Sequence, residues 1–181
     1  MKTLHDAFEH TLKDIYYAEK ALVKAIPKMA RKARSPALRQ ALEAHLAETE
    51  QQVQMLEQVF QSLGIRASAE KCDAIEGIIK EAEHVMKEAD QPALDAMIVA
   101  GSQAVEHYEI TRYGTLVEWA REMGHTEAQR ILGQILDQEK SADRKLTTIA
   151  EGQVNDRANA ESPASKQMAA QGGEKGRQAP R

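Results

Sequence analysis

The sequence predicts an all-α protein, an antiparallel four-helix bundle with an extra short helix in the crossover between the second and third long helices. Three observations carry this. Ala, Glu, Lys, Gln and Leu dominate the 181 residues, with 42% hydrophobic and only 4% aromatic residues, which is the usage of amphipathic helices rather than sheets. Apolar residues recur at helical spacing through four long stretches. Between the second and third stretches lies a connection far longer than antiparallel neighbours need, with a shorter amphipathic stretch of its own.

Residues 3–33 set Leu4, Phe8, Leu12, Ile15, Leu22, Ile26, Met29 and Ala33 on one stripe, the first helix. Ser35-Pro36 reads as an N-cap followed by proline at the first helical position, and Leu38, Leu42, Leu46, Val53, Leu56, Phe60 and Leu63 continue to a stop at Gly64. After a connection over 65–72, Asp73 is placed to cap the short helix, which runs through Ile75, Ile78, Ile79, Ala82 and Met86 to Asp90-Gln91-Pro92. The third long helix runs from about Pro92 to Met123 and stops at Gly124. The fourth starts at Thr126, turns Ile131, Leu132, Ile135, Leu136, Leu146 and Ile149 inward, and stops near Gly152. Two tight helix pairs joined by one long crossover is the order of a ferritin-like bundle. Residues 1–155 are therefore expected to form the bundle. Residues 156–181, rich in Gly, Ser, Gln, Ala and Pro and without aliphatic periodicity, are expected to be a disordered tail.

Composition also excludes functions. The net charge of −4 is uneven: residues 152–181 carry five Lys or Arg against three Asp or Glu, so the excess of acid sits in the bundle. An acidic body, and a tail with few and scattered basic residues, argue against nucleic-acid binding. No run approaches the ~18 apolar residues that span a membrane. The lone Cys72 and the absence of an export-type beginning point to the reducing cytoplasm.

Projection of each helix at ~100° per residue shows which polar side chains fall inside the apolar stripes, where an isolated charge is costly. Glu19 falls inside the first, between Ile15 and Leu22. The second holds His45, Thr49 and Gln52, with Glu48 on its flank. Glu106 and Glu109 lie inside the third beside Ile110, Tyr113 and Val117. Glu139 is nearly central in the fourth, with Asp143 one turn on. A single inward glutamate is ordinarily a residue that reaches an edge or pairs with Lys or Arg. Five carboxylates from three helices, beside an imidazole from the fourth and with few inward cations, repel one another unless protonated or bound to metal. Carboxylates with an imidazole suit iron or manganese better than zinc or copper(I), and the arrangement suits two ions. The usual Glu-x-x-His pairs of such sites are absent; helix two has the reverse order, His45-x-x-Glu48, and Glu139 is followed by Ala142 and Asp143.

With these residues in view, the chain resembles the YciE/YciF-type ferritin-like family of bacterial proteins over residues 2 to about 155. The segments DIYYAEKAL (14–22), HLAETEQQVQMLEQVF (45–60), KCDAIEGIIKEA (71–82), VEHYEITRYGTL (105–116) and QEKSADRKLT (138–147) carry the resemblance. It implies a ferritin-like bundle, commonly a homodimer, tied to stress responses. It also implies Glu19, His45, Glu48, Glu106, Glu109, Glu139 and Asp143 as metal ligands for two iron (or manganese) ions per chain. Glu106-x-x-Glu109 is also similar to the arrangement in rubrerythrins, which reduce peroxide at a di-iron centre. No Cys-x-x-Cys module accompanies it, so turnover would require an external electron donor. The expected function is a dinuclear metal protein reacting with oxygen or peroxide under stress. The alternative is a non-catalytic helical stress protein that acts through dimer or partner contacts.

Overall fold

A computed structural model of the chain describes residues 1–91 and 93–160, all of whose regular structure is helical. Helix α1 spans Leu4–Lys32, α2 Pro36–Ser62, α3 Asp73–Glu88, α4 Ala93–Glu122 and α5 Thr126–Ile149; a π-helical turn over Ala150–Val154 leads into α6, Asn155–Ala160.

Local chemistry sets the ends. Thr3 and Asp6 form a reciprocal capping box on α1. Ser35 caps α2 through its hydroxyl, which accepts from the Leu38 N–H, and Pro36 stands in the first turn. Gly64 and Gly124 adopt φ of 68° and 71°, the left-handed conformation that closes a helix at little cost to glycine. Two expected boundaries are corrected. The cap of α3 is Cys72, whose Sγ accepts from Ile75 N–H at 3.4 Å, and Asp73 is the first helical residue, favourably charged for that end. Helix α5 ends at Ile149, close to Gly152, but the chain stays helical beyond that glycine. Ala150 and Val154 are buried against the core, and that burial carries the chain through the π turn to Ala160. Residues 156–160 of the expected tail are thus helical, and 161–181 lie outside the described residues.

The four long helices form a ring in which α1 touches α2 and α4, and α5 touches α2 and α4. Asp95, in the first turn of α4, accepts from the backbone N–H groups of Arg34 and Ser35, both at 2.8 Å, which sets the start of α4 beside the α1–α2 turn. At the opposite end Phe8 of α1 lies 6.1 Å from the His125 ring in the α4–α5 turn. All ring neighbours are therefore antiparallel, and the crossover must climb the length of the bundle from the end of α2 to the start of α4. Helix α3 makes that climb against α1 and α4, close enough that a Cβ on Gly101 would meet the Ala82 methyl at 3.3 Å.

Candidate metal centre

Each long helix delivers one or two polar side chains to the middle of the bundle. His45 of α2, Glu106 and Glu109 of α4 and Glu139 of α5 are buried, and each offers one ligand atom, all within 4.8 Å of one another. Glu19 of α1 is fully buried beside them, close enough to Glu109 to raise its titration and to be shifted itself by Glu139 and Glu109. Helical geometry explains the convergence: Glu106 and Glu109 are three residues apart and share a face, while the antiparallel ring brings the mid-points of four helices to one level.

The group is short of hydrogen bonds. Glu19 accepts from the Tyr113 hydroxyl, and Glu139 accepts from the Gln52 amide, which also reaches Gln138 at 3.2 Å. Beyond these, Glu19 Oε2, Glu106 Oε2, both oxygens of Glu109, Glu139 Oε2 and both ring nitrogens of His45 are buried without a hydrogen-bond partner. His45 Nε2 is 3.2 Å from Glu106 Oε1, but the contact lacks hydrogen-bond alignment. Orphaned buried polar atoms each cost about 1–3 kcal/mol, so seven around one centre call for something that satisfies them together. No Lys or Arg is buried among the described residues to do so.

Electrostatics agree. Burial, followed by repulsion from Glu139, raises the Glu19 carboxyl to about 8; the same causes raise Glu106 to about 10. Glu109 is pushed well above the usual carboxylate range by burial and by Glu19, Glu139 and Glu106. Glu139 is raised by burial too, with the neighbouring Glu106, the Gln52 amide and the His45 ring acting against the rise. Without a cation, the centre holds protons that an exposed carboxylate would release.

The two remaining sequence-predicted residues stand at the margin. Glu48 is half-buried, 3.9 Å from His45 Nδ1 and 3.7 Å from Lys145 Nζ; its carboxyl is lowered, chiefly by the His45 contact. Asp143 turns to the α4–α5 seam, where it accepts from Gln103 at 3.0 Å and faces His107 Nε2 at 3.4 Å. The supporting role of Gln52 had a visible signal, since it falls on the His45 stripe two turns on. Gln103, outside that pattern, had none.

The donor set of one imidazole and several carboxylates, with unsatisfied oxygens aimed inward, fits a hard divalent cation. Comparison with known proteins then decides the family: residues 3–159 match the family described as Domain of unknown function (DUF892). The chain belongs to it. Protein YciF of Escherichia coli K12 is 42% identical over 160 residues, which span 87% of this chain and 96% of YciF. The crystal structure of the E. coli stress protein YciF superposes with a TM-score of 0.82, covering 86% of this chain and 99% of that one. YcfI of Rhodopseudomonas palustris, described as a candidate structural protein, is 51% identical with a TM-score of 0.80, covering 81% and 94%. A Xanthomonas campestris protein at 25% identity has a TM-score of 0.69, covering 88% and 99%. The resemblance expected from the sequence is thus established, and with it the ferritin-like helical fold. Among the described residues, no helix is long and apolar enough to cross a membrane.

Proposed function

We propose that this chain is a dinuclear metal protein, holding two iron or manganese ions and reacting with dioxygen or peroxide in a stress response. The observation that supports it most is the set of unpartnered, buried carboxylate oxygens around Glu109. Glu19, Glu106, Glu109 and Glu139 together carry four negative charges when ionised, which two divalent cations balance. His45, Glu106, Glu109, Glu139 and Glu19 would hold the ions, with Glu48 and Asp143 the nearest further carboxylates. Iron or manganese there supplies the one-electron chemistry that oxygen and peroxide need.

The protein's own part is positioning and proton release. The Tyr113 hydroxyl orients Glu19, and the Gln52 amide orients Glu139, as outer partners do for metal-bound carboxylates. The proton on Glu106 must leave when a cation arrives, so binding is favoured as pH rises. Apolar neighbours such as Ile15, Leu22 and Ile135 exclude bulk water. Electrons for turnover come from a separate donor protein or reductant, and the unit in solution is a cytoplasmic homodimer. The description of the R. palustris relative favours a second reading, a non-catalytic stress protein acting through its surfaces.

Metal analysis of protein purified without chelator separates the two. Anaerobic titration with ferrous iron is expected to fill about two sites per chain, as in ferritin-like bundles, and air then raises a ferric near-ultraviolet band. Absence of binding at micromolar iron overturns the dinuclear reading. Light scattering tests the dimer.

A further inference from the structure

A narrow cleft leads outward from the centre between α2 and α5, lined by Ala41, Leu42, His45, Glu48, Lys145 and Leu146, with Glu106 and Ala142 at its floor. Its open space is about 20 Å³, room for one water or one ion stripped of most of its hydration shell. Two features make it more than a packing gap. His45 is about nine-tenths buried with both ring nitrogens unpartnered, Nε2 facing Glu106 inside and Nδ1 facing Glu48 at 3.9 Å in the cleft. Across the outer end stands an ion pair, Lys145 Nζ to Glu48 Oε1 at 3.7 Å, whose side chains are 53% and 32% exposed.

We propose that this cleft is the entry port for divalent cations and that Lys145 is its displaceable counter-ion. The inference rests on the metal-binding reading above and adds a route and a residue to it. In the metal-free protein the Lys145 ammonium neutralises Glu48 and repels an approaching cation. Entry requires the ammonium to swing into solvent, still protonated, while the cation takes its place on the carboxylate. Glu48 and His45 Nδ1 then form a transient pair of ligands, and Glu106 is the next carboxylate inward. The displacement costs little because an exposed pair is worth about 0–1 kcal/mol. Lys145 carries its charge on a long, flexible and half-exposed stem, so the head can move without displacing the helix.

The test follows cobalt(II) uptake by the full-length metal-free protein, using the visible absorption of the bound ion in a stopped-flow instrument. Lys145→Met keeps the stem and removes the charge. It is expected to load about threefold to fivefold faster, the equivalent of one exposed ion pair. Its rate is also expected to fall more steeply with added salt, because the port now carries an unscreened negative charge toward a divalent cation. Lys145→Arg retains the charge and is expected to load near the wild-type rate, and Glu48→Gln more slowly than wild type. Equal melting temperatures of the metal-free variants verify the fold. Lys145→Met loading at the wild-type rate with the wild-type salt dependence, to the same final stoichiometry, overturns the port while leaving the metal centre standing. Wild-type protein that takes up no cobalt overturns the metal centre itself, and the port with it.

Discussion

The same four helices build two levels of opposite character. At the end where α1 begins and α2 finishes, Phe8, Leu12, Phe60, Leu116, Ile131 and Leu132 are all at most 2% exposed, and Tyr16 packs edge-on against Phe60 at 5.4 Å. Half a helix away, Glu19, Glu106, Glu109 and Glu139 are as deeply buried, and with His45 beside them they are largely unpaired. Burial at the first level removes apolar surface from water, worth ~25 cal/mol per Å², and holds the bundle shut. Burial at the second desolvates groups that ionise in water and works against folding unless protons or a cation neutralise them. The contrast teaches that depth in this core says nothing about whether a residue stabilises it.

The largest effect expected is that of pH on metal-free protein. Glu19 and Glu106 have folded-state values of about 8 and about 10, above the ordinary 4.5, so the folded state binds more protons than the unfolded one. Their contribution to stability is complete below about 4.5 and is lost as pH rises through the folded values. Urea denaturation of chelator-treated protein is expected to show stability falling from about pH 5 to about pH 10, the window those values set. A flat or rising profile would mean that the acids are satisfied in a way the structure does not show.

Next in size is truncation of the apolar level. Phe60→Ala is expected to cost about 3–5 kcal/mol, measured by chemical denaturation, and to cost the same with and without metal, because it leaves a cavity at the level away from the buried acids. A penalty that vanished on metal loading would break the distinction between the two levels. On the proposed reading, a metal that binds only the folded state is expected to add ~2.7 kcal/mol at a hundredfold excess over Kd.

Smaller, and opposite in sign to Phe60→Ala, is the effect of Glu139→Leu. It removes one repelling charge and fills apolar volume, so the metal-free variant is expected to melt at or above wild type near neutral pH, by about 1 kcal/mol, and to gain little from iron. A loss of several kcal/mol would mark Glu139 as half of a structural pair. The Gln52 amide that it leaves behind is the main cost to set against the gain.

The helices were legible in the sequence because each signal is local. Stripe periodicity, Ser35-Pro36, Gly64 and Gly124 act over a turn or two of chain, and the structure carries them where the spacing says. Inwardness was legible for the same reason: Glu19, His45, Glu106, Glu109 and Glu139 all fall on apolar stripes, and all five are buried. What periodicity cannot carry is the direction a side chain takes once neighbours compete for it. Asp143 shares the inward stripe with Glu139, yet Gln103 of α4 draws it to the seam, and Glu48 is divided between His45 of its own helix and Lys145 of another. The continuation of the chain as helix past Gly152 was likewise decided across the bundle, by burial of Val154. Helix existence and facing follow from chain-local sterics and spacing, whereas the buried acid cluster, its neighbouring cation and the opening between α2 and α5 depend on groups brought together from residues 19 to 146, which only the packed ring of helices places within reach.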